Sequence, residues 1–261
     1  MTANRIAVPV ATLCVIGAAL AVLAAARALA QEEAPPPPPQ PPEISVPPEL
    51  KKVLDGLDAA NSKVKSFKAN VVYRRDIPLL DESQTSEGSL VFKKPDLLRL
   101  RLGKPRNEEV CSNGKRWWVV SHNDKQVEIY DVAGEGSAAA EASFLTFGYG
   151  ESSARLLEQY EITLASQKEE ERPAKEDRAV AVTCYRLEFV PRDEEAPARF
   201  AKIEVELTDD LWLPRGMVLH ESDGEIVHTF QMRDIELNPA LKEETFTYEP
   251  PRGYTVLKPQ E

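Results

Sequence analysis

The stretch EGSLVFKKPDLLRLRLG, residues 87–103, holds the pattern that decides the fold. After the Lys93-Lys94-Pro95 break, Leu98, Leu100 and Leu102 alternate with Arg99 and Arg101. A period of two is that of a β-strand, with leucines on one side and arginines on the other. The arginines are free to face water. The leucines face either an ordinary packed core or a hollow built for an apolar guest, and periodicity alone favours the core.

The alternation persists along the chain. In RFAKIEVEL (199–207), Ala201, Ile203, Val205 and Leu207 oppose Lys202, Glu204 and Glu206. In YRLEF (185–189), Tyr185, Leu187 and Phe189 oppose Arg186 and Glu188, and in EIVHTFQMRD (225–234) His228 shares the face of Ile226, Phe230 and Met232. Strands are expected at 67–76, 86–94, 97–103, 107–112, 115–121, 125–130, 159–167, 179–190, 199–208, 214–222 and 225–236, each bounded by turn residues. Asn113-Gly114, Asn123-Asp124 and Asp223-Gly224 are two-residue hairpin signals between consecutive strands. Residues 138–158 interrupt the series with small residues and then a helical run over Ala154–Tyr160.

One helix precedes the strands. Leu50, Val53, Leu54, Leu57, Ala60, Val64 and Phe67 recur at three and four residues, and Pro47-Pro48 suit a first turn. The class is therefore α+β, mainly β: a curled antiparallel sheet of about eleven strands around one interior, with helix 49–67 inside it or over its mouth.

The N-terminal segment is built differently. Arg5 leads into an apolar run from Ile6 to Ala26, and Ala28-Leu29-Ala30 supplies an A-x-A site, which together make a secretory signal peptide. The run is nearly long enough to span a bilayer, so an uncut segment would anchor the chain instead. Cys14 lies inside the run rather than at its end, which argues against lipidation. Residues 31–48 carry nine prolines, including Pro35–Pro39, an extended spacer without a core. The expected organisation is 1–30 signal peptide, 31–48 linker and 49–261 folded domain.

The full chain of 261 residues has a net charge of −11. Cleavage after Ala30 removes Arg5 and Arg27 and no acid, leaving 30 basic against 43 acidic residues, or −13. Such a field excludes nucleic acid as a partner and gives no attraction to anionic membranes.

Catalytic and metal signatures are weak. If Asp223-Gly224 is a hairpin turn, 219 pairs with 228 and 220 with 227, so His220 and His228 point to opposite faces and cannot share a metal. His122 is the third histidine. No nucleophile elbow or glycine-rich phosphate loop occurs, and the carboxylates of 168–178 and 192–195 read as solvated hairpin loops. Neither catalysis nor a cofactor is expected. Cys111 and Cys184, the cysteines left after processing, permit a disulfide in an oxidising compartment, but read more readily as two small buried hydrophobes. Adjacent Trp117 and Trp118 face opposite sides, and the hairpin pairs Trp118 with Ile129.

The order of local features resembles the LolA-like family of periplasmic outer-membrane lipoprotein carriers. The likeness runs through Val64-Lys65-Ser66-Phe67-Lys68-Ala69, Glu87-Gly88-Ser89-Leu90, Lys93-Lys94-Pro95-Asp96-Leu97-Leu98 and Ser112-Asn113-Gly114-Lys115 before Trp117-Trp118. It ends with Phe246–Val256, and so covers about residues 49–257. What the resemblance implies is an incomplete eleven-strand barrel with a helical lid over an apolar cavity that shelters the acyl chains of a lipoprotein or lipid. On that reading Leu90, Phe92, Leu98, Leu100, Leu102, Trp118, Leu187, Phe189, Ile203, Val205 and Phe230 line the cavity. Leu54 and Leu57 belong to the lid. Where the family often carries an arginine that bonds the lid, this chain has Lys94, a point charge without the bidentate fork. A strand-end charge guarding a sheet edge is the plainer reading of Lys94. The implied partners are lipoprotein or lipid acyl chains, an inner-membrane donor and an outer-membrane acceptor, with a monomeric carrier between them. A sensor using the same fold to hold a membrane-protein partner is the alternative.

Overall fold

The computed structural model describes residues 45–131, 152–173, 179–192 and 199–258. The expected signal peptide, most of the proline-rich linker and the 138–151 stretch lie outside these residues. A helix, α1 (Pro48–Lys63), comes first and is followed by β1 (Ser66–Ile77), β2 (Glu82–Lys93), β3 (Leu97–Leu102), β4 (Glu108–Asn113), β5 (Arg116–Ser121) and β6 (Gln126–Asp131). A short helix, α2 (Ser153–Gln159), leads into β7 (Tyr160–Pro173), β8 (Ala179–Pro191), β9 (Phe200–Thr208), β10 (Pro214–Glu221), β11 (Val227–Leu237) and β12 (Thr255–Leu257).

All twelve strands form one sheet in the order β12-β6-β5-β4-β3-β2-β1-β11-β10-β9-β8-β7. Eleven correspond to the expected strands. The twelfth, three residues long, was not expected and pairs parallel with β6. The sheet stays unclosed, with β12 and β7 as its two edges. Register shifts at Asp234 and Ile235 opposite Ala69, at Ala165 and at Arg215 let one extra residue bulge from a strand, and each bulge bends and twists its strand. That is how a flat pattern of alternating residues becomes a trough. Gly88 is needed where β2 and β3 come closest: a Cβ there would lie 1.8 Å from the Arg101 carbonyl oxygen.

Helix α1 ends earlier than expected. Val64 is already extended (φ −82°, ψ 119°), and Phe67, which also fits the helical spacing, belongs to β1. There it is fully buried, with its ring 5.5 Å from that of Phe92 on the neighbouring strand. Cross-strand pairing on two sides outweighs four more residues of helix. The β5–β6 connection is also longer than the expected two residues, with Lys125 in the left-handed region (φ 54°).

The concave side holds the main core. Leu50, Val53, Leu54 and Leu57 of α1 share one apolar cluster with Phe67, Leu90, Phe92, Leu98, Leu187, Phe189, Ile203 and Leu207. The convex side carries a second, smaller cluster of Cys111, Trp118, Val120 and Val127, covered by Tyr248 and Tyr254 from the C-terminal segment.

Candidate functional site

The lining residues are set by strand parity. Phe67, Phe92 and Leu98 stand side by side across β1, β2 and β3, as do Ala69, Leu90 and Leu100 one step along. On the far flank Phe189 and Ile203, then Leu187 and Val205, repeat the arrangement. The structure thus brings Leu90, Phe92, Leu98, Leu100, Leu102, Leu187, Phe189, Ile203, Val205 and Phe230 together on the concave face beneath α1.

Trp118 is a correction. It stands opposite Cys111, which stands opposite Arg99, so it belongs to the convex side; Trp117 is the one facing inward. A second correction concerns the arginines of the opening stretch. Arg99 does not face water: its side chain is 13% exposed, it is ion-paired with Glu109, and its Nη1 donates to the Thr245 carbonyl at 2.8 Å. Of the two, Arg101 is the one open to solvent.

The hollow itself is filled. Phe92, Leu98, Leu187 and Ile203 have no accessible surface, and Leu90 and Phe189 have 1% each. Side chains so enclosed border no space that would admit a water molecule, so among the described residues these six line no open apolar void beneath α1. Two cavities of about 310 Å³ open elsewhere. One lies around Gly216 beside Arg186, Arg215 and Arg233 and also touches Val205 and Phe230, two of the expected lining residues; the other lies between the outer side of β2–β3 and residues 242–245. In this conformation the apolar face of α1 packs against the concave face of the sheet.

Several contacts hold α1 in that position. Lys94 Nζ donates to the Asn61 carbonyl in the last turn of α1 at 2.6 Å, satisfying an oxygen the helix itself leaves open. Burial of Lys94 lowers its pKa below the ordinary lysine value. The Asp58 carboxylate accepts from Ser153 N (2.8 Å) and Ser153 Oγ (2.5 Å), tying α1 to the first turn of α2. Lys52 Nζ reaches the Tyr185 hydroxyl at 3.4 Å. The Trp212 indole lies against Gly56. Leu54 and Leu57 are each 2% exposed on the inner face of the helix.

A polar cluster closes the opposite end of the trough and was only partly foreseen. Tyr73 Oη and His228 Nδ1 are 2.9 Å apart, and His228 Nε2 and Glu221 Oε1 are also 2.9 Å apart. Arg106 lies over the Tyr73 ring and pairs with Glu108 at 2.7 Å. The inward face of His228 was readable from its spacing to Phe230; its partners on β1 and β10 were not. Burial, opposed by Glu221 and supported by Arg199 and Arg106, lowers the His228 pKa from its ordinary 6.5. The fold therefore favours the neutral ring. Its stabilising contribution is complete above about 6.5 and is lost as pH falls from there through the depressed folded value. Replacing His228 with glutamine is expected to flatten the fall in melting temperature over that window, while wild type loses stability; parallel slopes would refute the assignment.

The remaining histidines stand apart. His220 lies 3.0 Å from Glu204 on the convex face, and His122 lies 3.0 Å from Tyr254. Cys111 and Cys184 are both buried free thiols, so the disulfide that the sequence permitted is not formed. They sit in β4 and β8 on the outer side of opposite flanks, with six strands between them in the sheet order. Burial pushes the Cys111 thiol up to about 11. Among the described residues no helix is long and apolar enough to cross a membrane.

Comparison with known proteins gives one consistent likeness. The family model described as "Outer membrane lipoprotein carrier protein LolA" matches residues 62–249. An outer-membrane lipoprotein carrier protein of Legionella pneumophila (strain Corby) is 23% identical over 177 residues, covering 68% of this chain and 76% of its own. One from Nitrosomonas europaea is 23% identical over 201 residues, covering 76% and 84%. Among solved structures, an uncharacterised conserved protein of Thermus thermophilus aligns at 14% identity with a TM-score of 0.47, over 80% of this chain and 99% of its own.

Proposed function

The chain belongs to the LolA family, and from that premise we propose that it is an exported carrier that shelters the acyl chains of a lipoprotein or lipid in its trough. On this reading residues 1–30 direct export and are cut near Ala30, and the mature protein works in the periplasm, between an inner-membrane donor and an outer-membrane acceptor. The bond from Lys94 to the Asn61 carbonyl carries the reading. Lys94, just after β2 and where the sequence resemblance implies an arginine, sets its cation against the last turn of α1, and this supports α1 as the lid.

Magnitudes say how such a carrier would load. Lifting α1 uncovers Leu50, Val53, Leu54 and Leu57, at about 1.5–3 kcal/mol each, or about 6–12 kcal/mol together. A 16-carbon acyl chain gains at most about 12 kcal/mol on leaving water, at about 0.8 kcal/mol per methylene. One chain therefore roughly offsets the opening and a second tips it. The trade favours a client with two or three acyl chains over a free fatty acid, and the filled hollow is the resting end of a lid equilibrium.

Native mass spectrometry of the mature protein from envelope extract is expected to show bound lipid or lipoprotein, and an apolar dye to bind the purified protein. Lys94→Ala is expected to speed dye uptake roughly 10-fold, since a hydrogen bond from a charged group contributes about 1.5–3 kcal/mol. Lys94→Arg should behave as wild type. A protein that carries no lipid, takes up no dye and instead stays in a stable complex with a membrane protein would replace the carrier by a sensor.

A further inference from the structure

Helix α1 contains a glycine where helices avoid one. Gly56 sits in the middle of Pro48–Lys63, and glycine is about the poorest helix former after proline because it surrenders the most backbone freedom. Its reason is visible across the gap. A Cβ at Gly56 would lie 2.5 Å from Trp212 Cδ2 and Cε3 and 2.9 Å from Cε2, so the indole lies flat in a notch that any side chain would fill.

Trp212 is itself held in an unfavourable backbone. Its φ is +51°, a left-handed conformation that is an outlier for a bulky residue. Its amide donates to the Thr208 carbonyl at 2.7 Å, which fixes the tight β9–β10 turn. Behind the indole, the Tyr185 ring stacks at 5.4 Å and 22°, and Tyr185 in turn meets Lys52 of the same helix. Two local costs, a mid-helix glycine and a strained tryptophan, meet at one contact between the helix and the trough wall. Strain of this kind persists only where surrounding contacts over-determine it, and it gathers at clamps and switches.

We infer that Trp212 seated on Gly56 is the latch that sets how readily α1 leaves the trough, and so how fast an acyl guest enters. This rests on α1 being the lid of a lipid-binding trough. Trp212 acts as a positioning residue: it touches the lid, and the guest binds where the lid was. It differs from Lys94, which holds the last turn of α1, by gripping the middle of the helix.

The test measures two things on the full mature chain: hydrogen exchange of the α1 amides, and the association rate of an apolar dye. Trp212→Ala and Gly56→Ala are each expected to raise α1 exchange and dye association at least 10-fold, while amides of β1 and β2 keep wild-type protection. Trp212→Phe, which retains a stacking ring, should stay within about threefold of wild type. Because one contact is removed twice, the double variant should open no further than the stronger single one. The inference is overturned if α1 exchange is unchanged in both single variants, or if β1 and β2 lose protection in step with it, which would mark a merely structural packing role. If α1 exchange rises but no variant, nor wild type, takes up dye, the latch stands and the carrier reading falls.

Discussion

Phe92→Ala is expected to lower the unfolding free energy by about 3–5 kcal/mol, the usual cost of removing a fully buried phenyl ring. Phe92 has no accessible surface, meets the Phe67 ring at 5.5 Å and stands opposite Leu98 on β3. It therefore lies where the trough floor, the first strand and the leucine face converge. For a domain of this size the loss corresponds to about 6–20 °C in melting temperature. The void left behind is apolar on all sides, so it should stay dry and take up xenon. A loss under about 1.5 kcal/mol would mean that the trough is loosely packed, and that α1 does not fill it as closely as its burial implies.

Arg99→Met is expected to cost about 3 kcal/mol by a different route. Glu109 is 7% exposed and is neutralised mainly by Arg99; without that partner its charge is left enclosed. Breaking a buried pair from one side costs about 3–5 kcal/mol, and the surviving contact from Arg101 at 3.2 Å keeps the loss near the lower end. The same change removes the donor to the Thr245 carbonyl, so the C-terminal segment should loosen and trypsin should cut sooner after Lys242. Pairing Arg99→Met with Glu109→Leu should recover most of the loss, since a matched apolar pair needs no desolvated charge. If the double variant is no more stable than the single one, the ion pair is not the source of the effect.

Much of this architecture was legible because side-chain direction in a strand is set by parity. Leu98, Leu100 and Leu102 share a face wherever the strand lies. The pairings of Leu219 with His228 and Trp118 with Ile129 follow from short turns, and both are observed. What parity does not supply is the face of a strand that follows a longer connection. Residues 103–107 join β3 to β4, and one residue more or fewer there would exchange Trp117 for Trp118 inside the trough. The C-terminal segment was opaque for another reason. Pro250 and Pro251 break any period, and its place is set by Arg99, Trp118 and His122, residues more than a hundred positions away.

The amino-acid sequence by itself determined the elements, their order and the presence of one continuous apolar face with a helix to cover it, because these depend on spacings of two to four residues. Only the tertiary structure decided that the trough is closed by α1, that Arg99 is covered, that Tyr73, His228 and Glu221 meet, and that Trp212 finds the notch at Gly56. Each of those depends on volumes and registers arriving together from strands distant in the chain, and no local pattern encodes where two such surfaces will touch.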